Sequence, residues 1–206
     1  MFNDGEDGHP PAPGGTVLSK PERWTSPEEY LEAERRAEAK SEYLDGQIYA
    51  MSGASLAHNR IVANLLIAIG PQLKATPCAV LPSDMRLRVP DTGLYTYADV
   101  SVICGEPRLE DAHKDILLNP TVLIEVLSES TESYDRGRKF EHYRRIDSLQ
   151  DYVLVSQSEP RIETYRRQTA REWLLTEAVG MDESVELASV RCLFPLRDVY
   201  DRVFVK

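Results

Sequence analysis

The feature that most constrains the fold is a run of apolar residues from Thr121 to Leu127 that a single acidic residue interrupts. A near-continuous apolar run of this length is typical of a central β-strand buried on both faces. Glu125 stands in the middle of the run. A carboxylate in that position loses its water and needs a hydrogen-bond donor, a cation or a metal ion. Glu125 is therefore the first candidate functional residue.

A second acidic residue interrupts the preceding strand pattern, which extends from Tyr95 to Ile103 with Asp99 near its centre. If the two strands are neighbours, Asp99 and Glu125 converge on one point, and such hard oxygen ligands suit Mg²⁺ or Mn²⁺. Asp84, in the predicted strand before these, is a candidate third ligand. The structural alternative is that arginine or backbone donors satisfy the two buried acids and that Asp84 lies at a strand edge.

A basic residue that would complete such a site is Lys139, in a helix predicted from about residue 135 to residue 146. It lies one turn before Tyr143 on the same helix face. Carboxylate-bound metal and a nearby ammonium are suited to phosphodiester hydrolysis, because they orient water and neutralise phosphoryl charge. The alternative is a surface lysine in a basic helix. Four arginines share this segment and are either a solvated face or phosphate contacts: Arg136, Arg138, Arg144 and Arg145.

Glu42 and His58 are two further candidates. Glu42 opens a predicted hairpin, where it either approaches the acidic pair or pairs with Lys40. His58 begins a long predicted helix, where it either faces the acids or packs and caps, and a lone histidine is more often structural.

The remaining pattern predicts an α/β fold. A proline and two glutamates after Ser26 mark a helix start that should run to about Ala39, and Asp45-Gly46 marks the turn of a β-hairpin. Helical spacing extends from residue 55 to 74, with a kink or fraying expected near Gly70 because Pro71 follows. Further strands are predicted at residues 79–89, 95–103, 121–127, 151–156, 161–166 and 172–176.

Length and composition favour one domain from about residue 25 to residue 206, preceded by an acidic Gly/Pro-rich tail at residues 1–24 that we expect to be disordered. The start of the chain lacks secretory-signal features, and no apolar run is long enough to span a membrane. We therefore expect a cytoplasmic protein. The three cysteines, Cys78, Cys104 and Cys192, have apolar neighbours and no CxxC spacing, which favours buried thiols.

A net charge of −10 argues against nonspecific coating of nucleic acid. The acid is unevenly distributed, being dense in the tail and the first predicted helix. The basic segment around Lys139 therefore still permits a local phosphate-binding surface.

An ordered series of short motifs resembles the Uma-two family of restriction-type endonucleases over about residues 26–200. The motifs are Glu42-Tyr43-Leu44-Asp45-Gly46, His58-Asn59, Ser83-Asp84, Ala98-Asp99-Val100, Glu125-Val126-Leu127-Ser128, Asp135-Arg136-Gly137-Arg138-Lys139 with Tyr143, and Asp151-Tyr152-Val153-Leu154-Val155. The resemblance implies a restriction endonuclease-like core of the PD-(D/E)XK superfamily. Such a core is a mixed β-sheet flanked by helices, here with an added N-terminal helix and β-hairpins, and it has Mg²⁺ at the acidic pair.

Two positions depart from the superfamily pattern. Ala98 replaces the proline before the first acid, and Leu127 replaces the lysine two residues after Glu125. The first change removes no ligand. The second implies that Lys139 supplies the missing ammonium from the helix.

The leading hypothesis is a Mg²⁺-dependent endonuclease acting on DNA, with Mn²⁺ as a possible substitute. Its candidate catalytic residues are Asp99, Glu125, Lys139, Glu42 and Asp84, of which Asp99, Glu125 and Asp84 are the candidate metal ligands. The alternative is a catalytically inactive nuclease-like module that binds or regulates, motivated by Leu127 and the net acidity. A hydrolase of RNA or of a small phosphodiester is a third possibility. A homodimer is possible by analogy with nucleases that cut both strands.

Overall fold

A computed structural model describes residues 24–204. The tail predicted at residues 1–24 therefore lies, except for Trp24, outside the described residues. Within the described part, the helices are α1 (Pro27–Glu34), α2 (Leu56–Leu73), α3 (Glu132–Tyr134), α4 (Phe140–Tyr143) and α5 (Leu196–Val199), with a π-helical turn (Asp135–Lys139) between α3 and α4.

The strands, in chain order, fall into three sheets. They are β1 (Ser41–Leu44), β2 (Gln47–Ala50), β3 (Cys78–Pro82), β4 (Arg86–Val89), β5 (Leu94–Tyr97), β6 (Val100–Cys104), β7 (Ile116–Leu117), β8 (Val122–Leu127), β9 (Asp151–Ser156), β10 (Arg161–Arg167), β11 (Trp173–Val179), β12 (Ser184–Leu187) and β13 (Cys192–Pro195). The larger sheets have the orders β11-β10-β9-β8-β6-β3 and β2-β1-β5-β4-β7, and β12 pairs with β13.

The six-stranded sheet is mixed. β8 and β9 are parallel, and every other pair of neighbouring strands in this sheet is antiparallel. Helix α2 packs against it through Ile61, Leu65 and Ile69, which are fully buried together with residues of the sheet such as Ile124 and Val153. The spacing of these three residues predicted the helix from the sequence. Burial of the apolar stripe that they form stabilises α2. The predicted α/β class, a mixed sheet flanked by helices, is confirmed.

The five-stranded sheet lies between α1 and the six-stranded sheet. Tyr30 of α1 stacks with Tyr43 on one face. The opposite face contributes Leu87 and Leu94 to a core that also contains Leu123 and Leu154 of the six-stranded sheet. The two sheets therefore enclose a shared apolar layer.

Two of the predicted strands are wrong in extent, because each is divided between the two sheets. The stretch 79–89 becomes β3 and β4, and the stretch 95–103 becomes β5 and β6. Asp99 consequently lies at the crossover from β5 to β6 and not inside a strand. Apolar residues continue on both sides of the crossover, so the sequence pattern gives no sign of the change of sheet.

The sequence signals for helix ends and turns agree with the structure only in part. Ser26 and Glu29 form the reciprocal capping box, but α1 ends at Glu34, five residues before the predicted end. Helix α2 runs on through Pro71 and ends at Leu73. Asp45 and Gly46 both have positive φ, 49° and 83°, as the Asp-Gly turn of a hairpin requires.

Two of the three predicted thiols are instead paired. Cys78 and Cys104 face each other across β3 and β6 and form a disulfide, whereas Cys192 is a buried free thiol as expected. Strand positions that face each other are far apart in the sequence, so cysteine spacing alone did not reveal the pair. Within residues 24–204, no helix is long and apolar enough to cross a membrane.

Candidate active site

The crossover between the sheets places Asp99 beside the middle of β8. Val100 pairs with Ile124 in the ladder between β6 and β8. The backbone N–H of Val126 donates a hydrogen bond of 2.7 Å to Oδ2 of Asp99. The expected convergence of Asp99 and Glu125 is therefore present, with Asp99 bonded to the residue that follows Glu125.

Glu125 is 4% exposed on a strand whose six residues are all buried. Its Oε1 accepts a hydrogen bond of 2.9 Å from the hydroxyl of Tyr143 and lies 3.0 Å from Nζ of Lys139. Burial raises the pKa of Glu125 well above its ordinary value, although the ammonium of Lys139 opposes the rise. The carboxylate thus has the partners that its position in an apolar strand requires.

Lys139 ends the π-helical turn and is 3% exposed. Its Nζ lies 3.4 Å from Glu42 and 3.6 Å from Asp135, and it donates to the carbonyl oxygen of Tyr97 at 3.3 Å. Burial alone would lower the pKa of Lys139, but the surrounding carboxylates, led by Glu125, raise it well above its ordinary value. Lys139 is therefore a buried ammonium among acids and not a surface lysine.

Glu42 reaches this cluster from β1 and does not pair with Lys40. Its carboxylate accepts hydrogen bonds from the hydroxyl of Thr96 and, at 2.9 Å, from the hydroxyl of Tyr134. The five-stranded sheet thus contributes one acid to a site whose other acids lie on or beside the six-stranded sheet.

Asp135 is a member of the cluster that we did not predict as a site residue, although the Asp-Arg-Gly-x-Lys motif contains it. It is 4% exposed, and burial raises its pKa. Its spacing of four residues from Lys139 is the available sequence signal, because residues so spaced share a helix face. Widened π-helical turns often occur at functional sites, and this one directs both side chains inward.

His58 approaches Asp99 from the first turn of α2. Its Nε2 lies 3.1 Å from Oδ2 of Asp99, while its Nδ1 is buried without a hydrogen-bond partner in the described part of the chain. Ser55, the N-cap residue of α2, accepts a hydrogen bond from the backbone N–H of His58 through its side chain. The functional interpretation of His58, that it faces the acids, is the one that matches this placement.

Asp84 lies apart from these contacts. Its side chain is 87% exposed and pairs with Nζ of Lys40 at 2.7 Å. No hydrogen bond or ion pair in residues 24–204 joins it to the cluster.

The arginines near Lys139 differ in their contacts. Arg136 forms a bidentate hydrogen bond with Glu163, whereas Arg138, Arg144 and Arg145 are exposed.

The number of acidic and basic groups in the cluster indicates whether a metal ion could bind there. Three carboxylates, those of Glu42, Glu125 and Asp135, contact one lysine ammonium, and a surplus of buried acid is stabilised by added positive charge. Within residues 24–204, no group of three or more potential ligands has a metal-holding arrangement. Mg²⁺ commonly uses only one or two protein carboxylates and keeps waters or phosphate oxygens as its other ligands. Asp99 and Glu125 are the two carboxylates that such a mode of binding would use.

Exposure indicates from which side a ligand would enter. The side chains of Glu125, Asp135 and Lys139 are at most 5% exposed, whereas that of Asp99 is 20% exposed. His58, at 15%, and Glu42, at 10%, lie between these values. Asp99 and His58 are therefore the most exposed members of the site, whereas Glu42 is nearly as buried as the rest.

The sheets, the crossover acid and the buried lysine together define a restriction endonuclease-like α/β protein. A family model described as "Uma2: Putative restriction endonuclease" matches residues 27–194. The chain belongs to this family.

Relatives of the chain are found in cyanobacteria. Two uncharacterized proteins of Synechocystis sp., sll1609 and slr1290, are 37% identical over 163 residues and 39% identical over 175 residues. The alignments cover 79% and 85% of this chain and 92% and 90% of the relatives.

A solved structure from Anabaena variabilis is described as a "putative nuclease belonging to DUF820". It matches with a TM-score of 0.70 at 19% identity and covers 86% of this chain and 98% of its own. At that identity, the match establishes the restriction endonuclease-like fold.

Proposed function

We propose that the protein is a Mg²⁺-dependent endonuclease that hydrolyses phosphodiester bonds of DNA, with Mn²⁺ able to replace Mg²⁺. The observation that carries the proposal is the buried ammonium of Lys139, 3.0 Å from Glu125 and within reach of two further acids. The family and the solved neighbour, both described as nucleases in the terms given above, support DNA as the substrate.

Asp99 and Glu125 are the residues that would hold the metal. When bound, the metal would lower the pKa of a water molecule and neutralise charge on the phosphate. Asp99 is kept in position by the N–H of Val126 and by His58, and Glu125 by Tyr143. These contacts fix both carboxylates before substrate arrives, which is the preorganisation that catalysis requires.

Lys139 supplies the positive charge that the superfamily takes from the position of Leu127. Its ammonium has three donors, and it contacts three carboxylates and a carbonyl. We assign it to orient the attacking water or to stabilise negative charge on the phosphate. Glu125, Glu42 and Asp135 favour the protonated ammonium, because their charges raise its pKa.

The test is nicking of supercoiled plasmid DNA in Mg²⁺, in Mn²⁺ and in chelator. Wild type should nick only with a divalent ion, Asp99→Asn should be inactive, and Lys139→Met should lose about 100-fold or more. Asp182→Asn is the matched control, because Asp182 is 96% exposed and pairs with Arg197 outside the cluster. Metal-independent nicking, or equal activity of wild type and Asp99→Asn, would refute the proposal.

An inactive binding module is the second candidate function, and the observation that favours it is the engagement of Lys139 by three acids. Calorimetry with Mg²⁺ and Mn²⁺ separates the two. Metal binding that Asp99→Asn abolishes supports the enzyme, whereas a folded protein that neither binds metal nor nicks DNA supports the module. Parallel assays with RNA and with a dinucleotide assign the substrate, and sedimentation tests the proposed homodimer.

A further inference from the structure

Tyr49 differs from the other tyrosines of the chain in its contacts. Of the ten tyrosines, nine make a hydrogen bond or a ring contact: Tyr30, Tyr43, Tyr95, Tyr97, Tyr134, Tyr143, Tyr152, Tyr165 and Tyr200. Tyr49 has neither within residues 24–204, and it is 52% exposed. A large aromatic ring in water without a partner is a candidate contact for a ligand.

The register of the hairpin places this ring next to the acidic cluster. Tyr49 on β2 pairs directly with Glu42 on β1, and directly opposed residues of an antiparallel pair have side chains on the same face, with Cβ atoms about 5 Å apart. Glu42 points towards Lys139 on that face. Tyr49 is therefore the exposed neighbour of Glu42 on the sheet face that carries the cluster.

The neighbouring residue on β2 provides a built-in comparison. Ile48 is also exposed, at 46%, but it pairs with Tyr43, whose ring packs against α1 on the other face of the sheet. The two adjacent apolar side chains thus have similar exposure and opposite orientation relative to the site.

We propose that Tyr49 stacks on an unpaired base of a nucleic acid strand held at the acidic cluster, so that the preferred substrate has a single-stranded segment. The inference rests on the proposed function, since it takes nucleic acid as the ligand of that site. Every base offers a π-face to an aromatic ring when it is unpaired. In an intact duplex, each base is already stacked between its neighbours.

The charge of the protein makes stacking more important here than in most nucleic-acid-binding proteins. With a net charge of −10, little affinity is available from phosphate neutralisation across the surface. The contact between a ring and a base does not depend on charge, so it adds affinity even though the carboxylates of the cluster repel the phosphates of the strand. A single exposed ring beside Glu42 therefore supplies sequence-independent affinity close to the proposed scissile phosphate.

The test is equilibrium binding, which needs no turnover. A single-stranded oligonucleotide containing the fluorescent base 2-aminopurine is titrated with wild type, Tyr49→Phe, Tyr49→Leu and Ile48→Ala, and an otherwise identical duplex serves for comparison. Wild type and Tyr49→Phe should bind the single strand and quench the fluorescent base. Tyr49→Leu should bind about tenfold more weakly without quenching, and Ile48→Ala should match wild type.

Equal binding and quenching by wild type and Tyr49→Leu would overturn the inference. So would a failure of the wild type to bind the single strand, or a loss of affinity in Tyr49→Phe, which would assign the effect to the hydroxyl. The plasmid and oligonucleotide cleavage assays are read separately. If binding depends on Tyr49 but no cleavage occurs, the proposed endonuclease activity is refuted and the stacking stands. If cleavage occurs but binding does not depend on Tyr49, the stacking is refuted and the endonuclease activity stands. Thermal unfolding of each variant confirms that the hairpin substitutions leave the fold intact.

Discussion

At the residue scale, the central relation is between Lys139 and the carboxylates that surround it. Taking these groups out of water costs several kcal/mol for each ion, and their mutual attraction has to repay that cost. The pKa of Glu125 is raised by burial and that of Lys139 by its acids. The acids therefore favour the charged form of Lys139, whereas burial opposes the charged form of Glu125 and the ammonium of Lys139 favours it.

The first prediction concerns removal of that ammonium. Lys139→Met should lower the free energy of unfolding by about 3–5 kcal/mol, because Glu125 and Asp135 are left buried without a cation. Glu125→Gln in the same chain should recover part of the loss, since it removes one of the stranded charges. Urea unfolding of the two single variants and the double variant gives the coupling energy.

Lys40→Met is the control for this cycle. Its ammonium pairs with the exposed Asp84 and donates to Ser83, and none of these partners is a buried acid, so the loss should be about 1 kcal/mol. Additive effects of Lys139→Met and Glu125→Gln would contradict the coupling.

Sequence alone revealed part of the site, for identifiable reasons. Glu125 and Asp99 stood out because an acid among apolar residues is costly, and Lys139 because a nearby ammonium would complete a carboxylate-bound metal site. Asp135 had a sequence signal, its spacing of four residues from Lys139. The contact of His58 with Asp99 depends on how a helix meets the sheet, and no local pattern encodes that relation.

At the scale of elements, the sequence predicted the extent of strands that lie within one sheet. It did not predict the extent of strands next to a crossover between the two sheets. β8 and β9 have continuous apolar patterns because both faces are buried. The breaks between β3 and β4 and between β5 and β6 are different. They are decided by which neighbouring strand accepts the backbone hydrogen bonds, and that depends on residues far away in the chain.

Helix α1 is joined to the segment before β7 by a charged network that should respond to pH. Arg35 donates to Asp115 at 2.9 Å and to Asp111 at 2.7 Å. These hydrogen bonds lower the pKa of both aspartates, while partial burial opposes the shift.

The second prediction follows from the sign of this shift. A carboxyl group with a lower pKa in the folded state stabilises the fold above its unfolded pKa of about 3.9, and the contribution disappears as the pH falls through the folded value. Asp115→Asn should therefore cost up to about 1 kcal/mol near neutral pH, since the pair is one-third exposed. The cost should vanish in strong acid.

Urea unfolding of wild type and Asp115→Asn at several pH values measures the difference, with Asp182→Asn as the exposed control. A difference that stays constant down to strong acid would show that the aspartate acts through packing and not through its charge.

At the scale of the whole molecule, the disulfide acts on the unfolded chain. Cys78 and Cys104 are 26 residues apart and close a loop that contains β4, β5 and the crossover to β6. A cross-link of this kind reduces the conformational freedom of the unfolded chain, and the gain increases slowly with loop length. The loop includes Asp99, so the bond restricts the segment that positions the acid.

The third prediction is that replacing both cysteines by alanine lowers the free energy of unfolding by about 3 kcal/mol. Adding reducing agent to wild type should give a similar loss, and it should leave the double variant unchanged. Guanidinium unfolding with and without dithiothreitol measures both effects. Equal stability of oxidised and reduced wild type would contradict the prediction.

The crossover at Ala98-Asp99 has a practical consequence for engineering the molecule. Because Asp99 lies between β5 and β6, its side chain can be changed without disturbing a ladder position of either strand. An asparagine there retains an oxygen that can accept the hydrogen bond from Val126. A substitution at this position can therefore remove the proposed metal ligand and leave the strand pairing intact. Asp99→Asn is accordingly the substitution of choice for a substrate trap, a folded protein designed to hold its ligand without converting it.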